Sequence, residues 1–379
     1  MWPMVSTVLF CNKLKMELPF GWQYCFSWVN SVCDFCMIEK NPTPNPVLVN
    51  NYRADVLESF HRGSFCVVDE KSQLIWSMGD AQQIAFTRSA LKYFQHIPFI
   101  LSGGFDALGF TEKDLAIMCA SHNGESMHIE AVTTVLSKIS LNAEALQCGV
   151  QQPALKSDFT ELIRNNQNPN VLHNNCSGKH AGFLAHCVYN KLDIGEYLSP
   201  KHILQQEIKK IIALFYELDE KDLQVGIDGC SAPIFGMPLL NQALAYKNLV
   251  SPMRWKDKTL ESVCNRIVKS VVQYPELIGG SKRYCSDLMR ITKGKVIGKT
   301  GADGIYCLAI PHKKWGISIK IDDGKMGPQY QVAHEILLRL GLLSKEEENA
   351  LAHHWRFENI NFAGNSVGFS SAVRLKCPF

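Results

Sequence analysis

The stretch on which the reading of this chain turns is Arg88-Ser89-Ala90-Leu91-Lys92-Tyr93-Phe94-Gln95-His96-Ile97-Pro98-Phe99-Ile100-Leu101. It reads as the first convincing helix, and it opens on the pattern S-x-x-K. Residues at i and i+3 share a helix face, so the Lys92 amine can reach the Ser89 hydroxyl. A serine hydroxyl is a poor nucleophile until a base takes its proton. A lysine amine is that base only when neutral, so its pKa must fall by several units from about 10.4. Burial, or a second cation such as Lys299 or Arg88, would depress it. The helix N-terminus adds N–H donors that can hold an oxyanion.

Two more short motifs lie downstream. Ser121-His122-Asn123 ends a predicted helix, and Lys299-Thr300-Gly301 sits on or just after a predicted strand. A lone S-x-x-K is usually a solvated surface pair, a lone K-T-G usually a turn, and S-H-N alone carries almost no signal. The three together, in this order, are the set of the serine β-lactamases and penicillin-binding proteins.

Around these motifs the chain has a clear order. Asn41–Asn51 is rich in Pro and Asn and reads as a linker. Ser64–Val68 and Gln73–Met78, split by the polar turn Asp69–Ser72, read as a β-hairpin. Helical periodicity follows at Glu112–Ala120, Glu125–Ile139, Gly178–Lys191, His202–Tyr216, Thr259–Tyr274 and Ser281–Ile291. Strands return at Lys295–Lys299, Gly304–Pro311 and Trp315–Lys320 as an antiparallel meander, and the helix Gln331–Leu342 closes the pattern. The expected fold is α/β of the α+β kind. An antiparallel sheet from residues 47–90 and 295–345 is flanked by helices, and a helical cluster is inserted between its halves.

A polar cluster, H-N-N-C-S-G-K-H at His173–His180, opens the helix beginning near Gly178, with Ser177 or Asn175 as N-cap. Farther on, I-D-G-C at Ile227–Cys230 places a strand end against a glycine turn. Cys176 and Cys230 could share a soft metal such as zinc, with His173 or His180 as further ligands. Read from the residues alone, two buried thiols and a capped helix explain the same pattern.

Composition narrows the function classes. With 379 residues, 46% of them apolar, the chain can bury a large core as one domain or two intimate subdomains. A net charge of +3 with 20% charged residues, and no basic helix with interleaved aromatics, argues against a nucleic-acid partner or an anionic membrane surface. The 14 cysteines are scattered without small-scaffold spacing, which suits reduced thiols in a cytoplasmic protein. Residues 1–36 differ in kind, holding three of the seven tryptophans. No basic residue precedes their apolar run Val5–Cys11, unlike a secretory signal. They read as an atypical extension, or as a start assigned too far upstream of Met37, ahead of one catalytic domain over 37–379.

The segments HRGSFCVVDE, FTRSALKYFQHIPFI, LAIMCASHNGESMH, LHNNCSGKHAGFL, GIDGCSAPIF, PELIGGSKRYCSDLM and GKTGADGIYCLAIP resemble the asparaginase II family of rhizobial-type L-asparaginases. The resemblance runs from about Val47 to the final helix. It implies a fold similar to serine β-lactamases and glutaminases, and a homodimer. It implies two Ser–Lys pairs, Ser89 with Lys92 and Ser121 with Lys299. It implies zinc held by Cys176, Lys179 and Cys230, and a substrate site lined by Arg88, His180 and Asp228. The implied activity is hydrolysis of the side-chain amide of L-asparagine. A glutaminase, a penicillin-recognising hydrolase and a non-catalytic amino-acid sensor are the alternatives. Ammonia release from asparagine and glutamine, nitrocefin turnover, and binding without turnover tell them apart.

Overall fold

Eleven strands form two antiparallel sheets in this computed structural model, which describes Pro44–Phe379. The readings made on residues 1–36 lie outside those residues. In chain order the strands are β1 Val47–Arg53, β2 Val56–Val68, β3 Leu74–Met78, β4 Ile84–Phe86, β5 Gln224–Ile227, β6 Pro233–Pro238, β7 Ile297–Thr300, β8 Ile305–Ile310, β9 Trp315–Ile321, β10 Phe357–Ile360 and β11 Ser366–Ala372. The large sheet runs β10-β11-β1-β2-β9-β8-β7, with β3 also paired to β2. The small sheet runs β4-β6-β5.

The expected hairpin forms with Phe65 opposite Met78, and the expected meander forms with Lys299 opposite Cys307. The two strand groups join where β2 pairs with β9, Gly63 opposite Ile321. The linker reading of Asn41–Asn51 fails at its second half. Val47-Leu48-Val49 carries enough apolar surface to enter the sheet, and Leu48 and Val49 are fully buried there. Of the described residues in that stretch, only the proline-bearing residues 44–46 stay outside a strand.

Every residue of β8 is buried, as expected of a strand covered on both faces. On one face the helix Leu239–Val250 packs so tightly that a Cβ at Gly316 would collide with the Ala243 carbonyl. Ser318 Oγ, on the same face, donates to the Leu239 carbonyl at 2.7 Å. The helix Pro328–Arg339 packs on β1, β8, β9 and β11.

The helical cluster is built from Glu112–Met118, Ser126–Lys138, Ser177–Asn190 and Lys258–Gln273. Local capping fixes their starts. Thr111 and Asp114 make a capping box, and the Asp257 carboxylate accepts from the Thr259 and Leu260 N–H groups. The helix expected over Arg88–Leu101 is three pieces, a 3₁₀ turn Arg88–Leu91 and short α-helices Lys92–Gln95 and Ile97–Leu101. Pro98 is the cause. Its ring would meet the carbonyl four residues back, so the chain leaves the helix at His96 and restarts with Pro98 in the first turn.

Candidate functional site

The three motifs meet where the cluster faces the sheet. Ser121 follows the helix Glu112–Met118, and its N–H donates to the Ile278 carbonyl at 2.8 Å. Lys299 on β7 reaches it from the sheet side, Nζ to Ser121 Oγ 2.7 Å, and Nζ also donates to the Thr300 carbonyl at 3.1 Å. Both side chains are almost wholly buried. Burial first, and then the positive charge of Lys92, push the Lys299 amine down to about 7. At neutral pH a large fraction is therefore free amine, able to take a proton.

Lys92 is equally buried but differently engaged. Its Nζ donates to the Ala120 carbonyl at 2.5 Å and to the Asn175 carbonyl at 3.2 Å. Ala120 lies just past a helix end, where carbonyls lack helical partners. The Lys92 backbone N–H donates to the Ser89 carbonyl, but among the described residues no side-chain hydrogen bond joins Lys92 Nζ to Ser89 Oγ. The side chains read as a pair from the i, i+3 spacing are thus not hydrogen-bonded here, and the charge of Lys92 bears on Lys299.

Ser89 opens on solvent. With Arg88, Gln151, Cys176, Asp228 and Cys230 it lines a cavity of about 320 Å³. Ser121 does not line it and is 4% exposed, so the two serines differ in access. Arg88 stands in the left-handed region, φ +48°, a strained setting for a side chain with a Cβ. Its guanidinium is held there by Asp228, Nε to Oδ1 2.9 Å, and by the Asp303 carboxylate. A cavity of about 390 Å³ beside Glu125, Asp158 and His173 contains none of the four motif serines and lysines.

The polar cluster forms the cavity's inner wall. Gly178 lets the helix Ser177–Asn190 approach Ile117 so closely that a Cβ would strike the Ile117 carbonyl. The helix is capped at Cys176, whose side chain makes no capping bond, so neither Ser177 nor Asn175 has the capping role expected of it. Ser177 Oγ instead donates to the Leu172 carbonyl at 2.9 Å. The sulfurs of Cys176 and Cys230 and a carboxylate oxygen of Asp228 lie within 4.8 Å of one another. Lys179 Nζ is 2.9 Å from Cys230 Sγ.

The two thiols are coupled. Their shared hydrogen bond lowers Cys176 well below the usual thiol range and raises Cys230. Burial works against the Lys179 ammonium, but the charges of Cys230, Cys176 and Asp228 outweigh it and raise that lysine. This donor set fits zinc, with two soft sulfurs and the Asp228 carboxylate as ligands, while Lys179 would join them only on giving up its proton. Asp228, expected to grip substrate, therefore also stands among the candidate metal donors.

His180 is fully buried and does not line the cavity. Burial pushes it down to about 4, so the ring is neutral, and Nδ1 meets Tyr197 Oη at 2.8 Å. It sits beside Cys230, outside the cavity lining where the resemblance had placed it.

The family model for L-asparaginase II matches residues 49–372. The chain belongs to the L-asparaginase II family. The matched span covers all the residues of the site. Solved structures that match include Mglu in its Tris and glutamate form, at 13% identity over 79% of this chain and 63% of that one, TM-score 0.42. A β-lactamase from Mycobacterium bovis matches at 11% identity over 77% and 94%, TM-score 0.37. The Bacillus subtilis glutaminase in covalent complex with 5-oxo-L-norleucine matches at 13% over 76% and 92%, TM-score 0.32. This chain thus spans a little under two-thirds of the length of Mglu. No curated protein matches the chain at a significant level.

Several features of this L-asparaginase II site have no sequence signal of their own. The Ala120 and Asn175 carbonyls that hold Lys92 are backbone groups of unremarkable residues. Asp303 had a faint one, lying two residues beyond K-T-G in G-A-D-G. Gln151, whose Oε1 accepts from the Asn175 N–H at 3.1 Å, had none. The ten cysteines among the described residues are free, nine of them buried. Among the described residues no helix is long and apolar enough to cross a membrane.

Proposed function

We propose that the protein hydrolyses the side-chain amide of L-asparagine to L-aspartate and ammonia through an acyl-enzyme on Ser89. The observation that carries this reading is the division of labour between the serines. Ser89 faces the cavity, while Ser121 is buried against an amine poised near neutrality.

In this mechanism Ser89 Oγ attacks the carboxamide carbon. Its proton passes by way of the Ser121 hydroxyl to the neutral amine of Lys299. Backbone N–H groups at the start of the Ser89 turn hold the oxyanion. Lys299 then returns the proton to the departing nitrogen, the C–N bond breaks, and ammonia leaves. Water adds to the resulting ester, the same amine takes its proton, and aspartate is released with Ser89 restored. Burial, helped by the charge of Lys92, holds Lys299 near neutrality, so Lys92 has a helper's part and not the direct base role that its spacing suggested. Arg88 attracts the substrate α-carboxylate and Asp228 the α-ammonium.

Cys176 and Cys230, with Lys179 or Asp228, would hold a zinc ion at the cavity wall. Bound there, zinc would supply a Lewis-acid point for a substrate oxygen. The exposed apolar side chains Val56, Leu57 and Phe60 on β2 and Phe369 on β11 support self-association as a homodimer. Sedimentation of the purified protein measures that state.

The deciding experiment is ammonia release with asparagine and with glutamine, followed by acid quench and peptide mass spectrometry. Faster turnover of asparagine with the acyl group on Ser89 is expected. An acyl group on Ser121 alone would overturn the assignment, and faster turnover of glutamine would overturn the substrate.

A further inference from the structure

A second cluster of ligating side chains lies outside the cavity and plays no part in the reaction above. Asp287 is on the helix Tyr284–Ile291, and His353 and His354 end the short 3₁₀ turn Ala352–His354. Both imidazoles aim Nε2 at one carboxylate oxygen, His353 at 3.2 Å and His354 at 2.8 Å from Asp287 Oδ2. The other oxygen, Oδ1, is taken by Arg290 at 2.6 Å, which fixes the carboxylate plane and leaves Oδ2 turned toward the two rings.

We propose that Asp287, His353 and His354 form a binding site for a divalent metal ion of the zinc class, with water in the fourth position. A tetrahedral zinc with bonds of about 2.0–2.1 Å has ligand–ligand edges of about 3.3 Å. The His353 separation of 3.2 Å nearly equals that edge, the His354 separation of 2.8 Å would have to open by about half an ångström, and all three ligand atoms lie within 4.8 Å of one another. Two imidazoles and a carboxylate suit zinc, copper or nickel, not magnesium or calcium.

The surroundings fit a ligand shell. His354 is 6% exposed and stands edge-on to the Tyr284 ring, centroids 5.3 Å apart. His353 lies 3.9 Å from it ring to ring and is the solvent-facing member, which leaves an entry path. Arg290 orients the carboxylate as second-sphere groups orient ligands elsewhere. The site would clasp the turn before β10 to the helix that carries Cys285, whose sulfur accepts the Thr300 N–H at 3.2 Å next to Lys299. Its role is to pin the C-terminal hairpin to the element behind the catalytic amine.

The test uses the full chain, stripped of metal and dialysed against zinc chloride, as wild type and as His353→Ala and Asp287→Asn. His353 is exposed, so His353→Ala should fold even if Asp287→Asn does not. Wild type should bind one more zinc per chain than His353→Ala. Zinc should raise the melting temperature of wild type more than that of the variant. Equal zinc content and equal zinc-induced shifts would overturn the site, and would mean that the three residues form an ion-pair cluster only. Wild type that takes up no zinc would overturn it as well.

Discussion

Replacing Lys299 with Met should change the way stability depends on pH. The lysine's ordinary pKa of 10.5 falls to about 7 in the folded protein. Between those values the unfolded chain carries a proton that the folded chain does not. Stability must therefore rise with pH across that window, by about 1.4 kcal/mol per pH unit. The whole window is worth about 5 kcal/mol. Below pH 7 both states are protonated, and the folded protein bears the full cost of a buried charge. In Lys299→Met the group is gone and so is its slope, while the cysteines and histidines titrate in both proteins and cancel in the difference. The assay is urea unfolding of the two proteins from about pH 7 to about pH 10. The wild type should gain on the variant at every step upward, whatever the constant offset from the lost hydrogen bonds to Ser121 and Thr300. A difference that is flat with pH, or that slopes the other way, would refute the argument that this amine is poised near neutrality. The kinetic counterpart is a rising limb in kcat/KM centred near pH 7.

Ser89→Ala should lower kcat by roughly three to six orders of magnitude in the ammonia assay, with circular dichroism unchanged. Lys92→Met should move the rising limb of the pH profile to higher pH, because the charge that helps depress Lys299 is lost; a profile that stays in place would remove Lys92 from that role. Cys176→Ser should lower zinc content measured by atomic emission, and unchanged content would withdraw the thiol site. Gly178→Ala should cost about 1–3 kcal/mol and lower the melting temperature, since its Cβ is driven against the Ile117 carbonyl.

The parts of the fold legible in the sequence are those with strong periodicity. The β2–β3 hairpin and the β7–β9 meander alternate or run apolar, and the helices Ser126–Lys138, Ser177–Asn190 and Lys258–Gln273 repeat with helical spacing. The strands that escaped notice are short or polar. β4 has three residues, β6 reads P-I-F-G-M-P, and β10 and β11 carry few large apolar residues. Such strands are set by the partners they meet, not by their own pattern. The helix Leu239–Val250 escaped for the opposite reason, being buried nearly all round and so without a polar face.

The site shows the same divide. Spacing put Ser89 and Lys92 on one face but could not say where a long side chain stops. Lys92 stops at two carbonyls because a buried ammonium needs acceptors and a helix end supplies one. The meeting of Ser121 with Lys299 joins residues 178 apart in sequence and came from resemblance, not from spacing. The residues alone offered Cys176 and Cys230 as a possible soft-metal pair, resemblance added Lys179, and the structure adds Asp228.

The pairing of β2 with β9 bears on how the protein is made. Gly63 emerges from the ribosome roughly 250 residues before its partner Ile321. At about 5–20 residues per second, the first three strands wait between ten seconds and a minute without the rest of their sheet. Their later neighbour β11 follows β9 by about 45 residues more. Through that interval Phe65, Val67 and Trp76 are apolar surface with no cover. The nascent chain is thus a client for chaperones that shield unpaired strands, and slower elongation would lengthen its exposure.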